Sequence, residues 1–408
     1  MKCRHCGTPL HLNFLDLGSA PPSNAYLGAA GLNAPETWYP LKVLVCDSCW
    51  LVQTEDHAGR EALFSDDYAY FSSFSSSWLK HSEAYVAAMT RRFGLDGRSM
   101  VVEVAANDGY LLQYVKAGGI PCYGIEPTAS TAEAARAKGI EIVEAFFGVA
   151  LGEKLAREGR QADLTAANNV LAHVPDINDF TGGFARLLKP SGVSTFEFPH
   201  LMRMVEFNQF DTAYHEHYSY LSLTAVERIF AGNGLSVFDV EELPTHGGSL
   251  RVYAQRSDTG GHAVSPAVAA MLAEEARRGM KTPAFYAGFQ AAAETVKDDI
   301  LAFLIDAKRK NLKVGAYGAA AKGNTLMNFA GIRPDLLPYV VDKNPAKQNK
   351  FMPGSRIPIV DEAHLLAHKP DLVLILPWNL KNEVIGQLGA IRAWGGKFVV
   401  AVPKLEVL

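Results

Sequence analysis

The chain has 408 residues, enough for two or three domains of ordinary size. Hydrophobic residues make up 48% and charged residues 20%, which supports a packed core and excludes wholesale disorder. Lysine and arginine (39) nearly balance aspartate and glutamate (43), so the composition argues against a nucleic-acid binder. No apolar run reaches the ~20 residues that span a bilayer. The N terminus, Met1-Lys2-Cys3-Arg4-His5-Cys6, lacks the apolar stretch of a secretion signal, so the expected setting is the cytoplasm.

Five cysteines open the chain-order reading. Four form two knuckles, Cys3-x-x-Cys6 and Cys46-x-x-Cys49. Two intervening residues let both thiolates of a knuckle turn inward, and two knuckles complete a tetrahedral zinc site. Disulfides are the alternative, and they suit a reducing compartment poorly. Four protein ligands leave no open coordination position, so this zinc is expected to hold a fold. Residues 1–70 are therefore expected to form a zinc-binding domain with sparse secondary structure, the metal replacing a large core. Cys122 lies in a strand-like run, Ile120 to Ile125, and reads as a small core residue.

Residues 71–255 alternate helix and strand. The pattern predicts a helix over 77–93, strands over 100–105 and 121–125, and helices over 109–117 and 130–138. Further strands are predicted over 162–167 and 192–198, with a closing hairpin of 236–242 and 250–254. Such alternation predicts a parallel sheet with helices on both faces. Its first strand carries Glu103 and runs into Ala105-Ala106-Asn107-Asp108-Gly109, the turn where a doubly wound sheet binds a nucleotide. Only Gly109 of the acidic-x-Gly-x-Gly-x-Gly pattern for S-adenosylmethionine is a glycine. Glu126 ends the second strand, where a carboxylate can accept both hydroxyls of a ribose. An ordinary capped strand–helix turn is the competing reading. The next strand ends in Asn168-Asn169, with His173 close behind, and polar residues at that end face the crevice.

The densest chemistry lies in Asp211-Thr212-Ala213-Tyr214-His215-Glu216-His217-Tyr218-Ser219-Tyr220. An imidazole near neutrality, a carboxylate and phenols suit acid–base work. A metal site built on His-x-His and a polar structural loop are the alternatives. A helical stretch over 266–310 is expected to link domains. A second alternating unit follows, with strands over 313–317, 339–342, 372–377 and 397–402, and helices from Lys322 and over 380–387. Its turn, Gly318 to Asn324, opens a helix whose N terminus and Lys322 suit a phosphate. Asp342 stands where a dinucleotide fold places its ribose acid. This half binds a nucleotide, a sugar nucleotide, or nothing.

The ordered set of Cys3-x-x-Cys6, Cys46-x-x-Cys49, Glu103 to Leu112, Tyr214-His215-Glu216-His217, Thr245-His246-Gly247-Gly248-Ser249-Leu250-Arg251, Gly318 to Asn324 and Leu376-Pro377-Trp378-Asn379 resembles the bacterial sugar-nucleotide C-methyltransferases. The resemblance spans essentially the whole chain. It implies an α/β architecture: a small zinc-binding module (1–70), a central class I S-adenosylmethionine methyltransferase domain with a Rossmann-like fold (71–255), and a helical linker with a second Rossmann-like domain (256–408) that helps hold the nucleotide sugar. It implies His217 as general base with Glu216 beside it, and Tyr214, His173 and Tyr68 lining the sugar pocket. Glu103, Ala105, Asn107, Asp108, Gly109, Glu126, Asn168 and Asn169 would meet the cofactor. Tyr70, His246, Arg251, Lys322 and Asn324 would meet the substrate, a 4-keto deoxysugar on a nucleotide, dTDP being the family's usual carrier. No obligate protein partner is expected. Many members have glycine where this chain has Ala105, so contacts at the methionine end of the cofactor are expected to differ. O- or N-methylation of a sugar nucleotide, or pyridine-nucleotide oxidoreduction by the C-terminal unit, are the rival activities.

Overall fold

The computed structural model describes residues 1–57 and 71–408, which fall into three sheets. The first is antiparallel, with order β1 (Leu12–Ala20), β2 (Tyr39–Val45), β3 (Val52–Thr54) and β9 (Ser219–Tyr220). Its last strand is lent by the middle of the chain, directly after His217. The N-terminal region is thus richer in strand than expected. Alternate residues of β2 enter two different cores: Val43 and Val45 pack toward the C-terminal unit, Leu44 toward the four cysteines and the middle domain. Period-two burial on both faces explains how a module too small for its own core still forms a sheet.

The second sheet has order β10 (Leu235–Leu243), β11 (Ser249–Arg256), β8 (Leu188–Pro199), β7 (Ala162–Asn168), β4 (Val101–Val104), β5 (Cys122–Ile125) and β6 (Glu141–Val143). From β8 to β6 all pairs are parallel, and β11 runs antiparallel to both its neighbours. Every residue of β4 is buried, as a central parallel strand covered on both faces requires. The strand order reverses between β4 and β7, and a ligand crevice forms outside the carboxyl ends at such a switch point. This is the class I S-adenosylmethionine methyltransferase arrangement. Cys122 begins β5 and is only partly buried; burial still pushes its thiol up to about 11.

The third sheet has order β14 (Ile359–Val360), β13 (Val340–Val341), β12 (Val314–Tyr317), β15 (Leu372–Ile375), β16 (Lys397–Val400) and β17 (Glu406–Val407), parallel except for β17. Its own switch point lies between β12 and β15. The helix Phe289–Arg309, from the stretch expected to link domains, is instead a packing layer. Ala293, Val296, Ile300, Leu304 and Ala307 bury at helical spacing in one core with Phe14 of β1 and Val314 of β12, and Phe289 stacks on Phe14 at 4.5 Å. Among the described residues no helix is long and apolar enough to cross a membrane.

Candidate active site and cofactor crevice

The two cysteine knuckles meet. Cys3 and Cys6 lie on the first turn of the chain, Cys46 and Cys49 on the turn between β2 and β3. All four Sγ atoms lie within 4.8 Å of one another, with Cys3–Cys49 and Cys6–Cys46 each at 3.5 Å. Tetrahedral zinc holds sulfurs at about 2.3 Å, hence about 3.8 Å apart, so the donor set fits the ion. Gln53 donates Nε2–H to Cys3 Sγ at 3.3 Å, and Cys49 donates its amide to Cys46 Sγ at 3.5 Å, both of which favour thiolates. The Cys49 thiol, with lesser help from backbone and Gln53 donors, draws the Cys3 pKa down to about 4, while burial pushes Cys46 up.

At the mouth of the second sheet, the loop after β4 alternates left-handed residues: Ala105 (φ 60°), Asn107 (φ 48°) and Gly109 (φ 75°). These are the three positions at which the cofactor pattern expects glycine. Ala105 therefore follows the glycine path despite its Cβ, at a cost of roughly 1–2 kcal/mol. At Gly109 the restriction is also spatial, since a Cβ there would stand 2.4 Å from Ile140. Glu126, just past β5, accepts the Asn107 amide at 2.9 Å and the Thr128 amide at 3.0 Å, tying the loop to the neighbouring strand. Glu103 (both carboxylate oxygens), Asp108 Oδ1, Asn168 Oδ1 and Asn169 Oδ1 are buried acceptors that receive no hydrogen bond among the described residues. Buried acceptors without donors are costly unless a ligand supplies the donors. Burial pushes Glu103 well above the usual carboxylate range, and a cation would hold it ionised. The ammonium, sulfonium and ribose hydroxyls of S-adenosylmethionine match that demand.

Beside this mouth stands the cluster from residues 211–220. His217 donates Nδ1–H to the Thr212 carbonyl at 2.9 Å, so its neutral ring keeps the lone pair on Nε2. Burial, then nearby His173, Lys322 and His246, hold its pKa well below the ordinary value. The ring centroids of Tyr214 and His173 lie 3.9 and 4.6 Å from that of His217. Burial also lowers His173 to about 4. Glu216 accepts from Asn24 Nδ2 at 3.1 Å, and burial raises its carboxyl to about 7. His215 turns away and donates toward the Tyr39 carbonyl at 3.2 Å. The two histidines of His-x-His thus face different carbonyls, which disfavours a metal between them. Thr54 of β3 donates its hydroxyl to the His217 carbonyl at 2.7 Å and its amide to the Tyr218 carbonyl at 3.1 Å. The zinc module therefore grips the segment that carries the base.

The C-terminal unit approaches from the opposite side. Lys322, in the first turn of the helix Ala321–Ala330, sits 4.3 Å over the Trp378 ring and donates to Asn379 Oδ1 at 3.4 Å. Burial lowers its pKa to about 8, against the pull of Asp211. Asp211 accepts Trp378 Nε1–H at 2.8 Å, and burial raises its carboxyl to about 6. His246 adopts a left-handed backbone (φ 52°) and meets Asn169 Nδ2 at 3.0 Å through Nε2; burial lowers its pKa to about 4.

Most of the sequence-derived residues thus converge between the second and third sheets. Arg251 does not reach the site directly. It is buried in β11 with its guanidinium on Glu197 at 2.9 Å and over the Tyr85 ring. Glu197 also accepts from Thr245 at 2.9 Å, so Arg251 braces the turn that carries His246. Asn324 is buried in the same helix as Lys322, and its side-chain amide makes no hydrogen bond among the described residues. Tyr68 and Tyr70 lie outside the described residues. The roles of Asn24, Thr54, Thr325 and Trp378 were not read from sequence. Trp378 stands in the run Leu376-Pro377-Trp378-Asn379, but nothing local links it to Asp211.

The fold, the loop path and the unsatisfied acceptors define an S-adenosylmethionine-dependent methyltransferase with a structural zinc module. Sequence-family models agree along the chain: "Putative zinc binding domain" over residues 3–64, "Methyltransferase domain" over 78–240 and "C-methyltransferase C-terminal domain" over 244–403. C-methyltransferase NovU of Streptomyces niveus is 34% identical over 407 residues, covering 100% of this chain and 96% of that protein. The chain belongs to this C-methyltransferase family and is an S-adenosylmethionine-dependent C-methyltransferase. Among solved structures, magnesium protoporphyrin IX methyltransferase (ChlM) of Synechocystis PCC 6803 is 17% identical with a TM-score of 0.34, over 44% of this chain and 79% of that one. PH0226 of Pyrococcus horikoshii OT3 is 15% identical with a TM-score of 0.39, over 46% and 95%.

Proposed function

We propose that the protein methylates a carbon beside the keto group of a 4-keto deoxysugar carried on a nucleotide, dTDP being the carrier we favour. The observation that carries this reading is His217, a buried neutral imidazole whose Nε2 lone pair is left free by the Nδ1–H bond to Thr212. A proton beside a ketone is acidic enough for such a base. His217 takes that proton, and the electron pair moves onto the keto oxygen as an enolate. In this reading Tyr214 and Glu216, the latter at about 7 partly protonated near neutrality, donate to that oxyanion, and His173 packs beside them. S-adenosylmethionine supplies the methyl: the enolate carbon forms the new C–C bond as the C–S bond breaks. The third sheet contributes Lys322 and the N terminus of its helix toward the nucleotide phosphates. Orientation of two substrates between facing sheets would account for much of the acceleration. We place the enzyme in the cytoplasm, where four thiolates stay reduced for zinc.

The test is incubation with 4-keto nucleotide sugars in D₂O. The wild type should wash deuterium into the carbon beside the ketone and, with S-adenosylmethionine, give a product 14 mass units heavier, read by mass spectrometry. His217→Gln should abolish both. Exchange that survives this substitution would remove His217 as base. Methylation on oxygen or nitrogen would overturn the carbanion reading.

A further inference from the structure

The turn that orients the base is held by the C-terminal unit. Thr212, whose carbonyl takes His217 Nδ1–H, closes the short turn Phe210–Thr212. Trp378 donates Nε1–H to the side chain of Asp211 in that turn at 2.8 Å. Thr325 donates its hydroxyl to the carbonyl of Ala213, the next residue, at 2.8 Å. The Thr212 carbonyl is therefore flanked on both sides by hydrogen bonds from the third domain. A further tie returns to the middle domain: Gln209 donates Nε2–H to the Gly247 carbonyl at 2.8 Å, and a Cβ on Gly247 would come within 2.6 Å of the Trp378 ring. Asp211 is fully buried, and its second oxygen has no partner among the described residues. A buried carboxyl with a single donor is a poor stabiliser of a fold. It suits a point where one domain must register against another.

We propose that Trp378 and Thr325 are positioning residues for C-methylation: by fixing the 210–213 turn, the C-terminal unit sets the tautomer and aim of the His217 imidazole. The chemical consequence follows from the two ring nitrogens. With the Thr212 carbonyl in place, the proton stays on Nδ1 and Nε2 can accept. With the carbonyl displaced, the proton is free to sit on Nε2, and that form of the ring cannot take a proton from substrate. The C-terminal unit then does more than hold substrate: it completes the base. The catalytic consequence rests on His217 being the base, but the effect on its tautomer does not.

Trp378→Phe keeps an aromatic ring beneath Lys322 while removing the one donor and the outer indole edge that faces Gly247. Thr325→Val keeps shape and removes the hydroxyl. Both are measured in the full-length zinc-loaded protein. The readouts are ¹⁵N chemical shifts of the histidine side chains, assigned with His217→Gln, together with kcat, KM and S-adenosylmethionine affinity. We expect Trp378→Phe to convert the Nδ1–H signature of His217 into a tautomer mixture and to lower kcat about 10- to 100-fold, with KM and cofactor affinity within about twofold. Thr325→Val should act in the same direction, by about 3- to 10-fold. An unchanged His217 signature in both variants overturns the positioning role, whatever happens to rate or stability. An altered signature with full kcat upholds the positioning and overturns His217 as the base.

Discussion

The second and third sheets carry one device made from different residues. In the second, Glu126 accepts the amide of Asn107, from the loop after the first strand, and that of Thr128. In the third, Asp342 accepts the amide of Ala319, from the equivalent loop, and that of Asn344, each at 2.8 Å. Each acid staples its loop to the adjacent strand. The mouths differ. The second keeps buried acceptors with no donor, at Glu103, Asp108, Asn168 and Asn169. In the third, the Ala319 carbonyl already accepts from Tyr26 Oη at 2.6 Å and from Lys347 Nζ at 2.8 Å, and Leu27 bridges to Phe351. A loop of the zinc module thus caps the Ala319 carbonyl, beside the helix N terminus that carries Lys322. An acid after the second strand of a doubly wound sheet therefore reports topology, and the unsatisfied groups around it report the ligand. The Asp342 staple alone is therefore no argument for pyridine-nucleotide binding by the C-terminal unit.

The largest expected effect tests whether this asymmetry is imposed by the zinc module, which grips the base segment through β3 and the third sheet through Tyr26. Purified protein should carry about one zinc per chain by elemental analysis. Cys46→Ser/Cys49→Ser should lose it, and with it binding energy on the order of 10 kcal/mol. Hydrogen exchange should then show loss of protection in β2, β3 and β9 together. Persistent protection of β9 would mean that the base segment stands without the metal.

Next come the two acids. Glu126→Ala should weaken S-adenosylmethionine binding about 10- to 100-fold by calorimetry, since charge-assisted hydrogen bonds are worth roughly 1.5–3 kcal/mol. Asp342→Ala should leave that affinity within about twofold while lowering Tm, because it orphans two loop amides. Saturable NADH binding to the wild type would break the comparison outright.

Acid should act on the middle site. His173 and His246 are lowered to about 4 by burial and His217 is held well below its ordinary value, while in the unfolded chain each titrates near 6.5. Below that value the unfolded state binds more protons, so the histidines' contribution to stability is full above about pH 6.5 and falls toward pH 4, opposed by Glu216 and Asp211, whose carboxyls the fold raises to about 7 and about 6. The slope is at most about 1.4 kcal/mol per pH unit for each histidine. Denaturant titrations across that window, repeated with His246→Gln, measure one histidine's share. A difference between wild type and His246→Gln that stays constant across that window would show that His246 is protonated in the fold.

The smallest effect is at Ala105. Glycine there removes left-handed strain of about 1–2 kcal/mol but adds about 0.5–1 kcal/mol of unfolded-state entropy. Ala105→Gly should therefore stabilise by at most about 1.5 kcal/mol and leave S-adenosylmethionine affinity unchanged. A marked gain in affinity would mean that the Cβ, and not only the backbone, meets the cofactor.

Much of this was legible from local pattern. The helix at 76–93, the strands of the second and third sheets and the two Cys-x-x-Cys knuckles follow from periodicity and ligand spacing, which need no distant partner. The loop from Ala105 to Gly109 and the segment from Tyr214 to His217 stood out because their residue types concentrate chemistry. The strands at 12–20 and 39–45 were harder to read, since a half-module borrows its cores from both neighbours. The linker helix misled for the same reason: its alternating alanines and charges disguised an apolar stripe that packs between two sheets.

The sequence alone determined which groups are available: four thiolates for a metal, an acid at the end of each second strand, an imidazole beside phenols. Tertiary structure decided which of them are active. Arg251 became a brace because Glu197 lies across the sheet from it, and His215 turned to Tyr39 while His217 kept a free Nε2. Asp342 and Glu126 carry the same carboxylate, yet the loop stapled by Asp342 has its Ala319 carbonyl already taken by Tyr26 and Lys347. Hydrogen bonds saturate, and which donor reaches an acceptor first is set by segments distant in sequence, such as Tyr26 on Ala319 and Trp378 on Asp211.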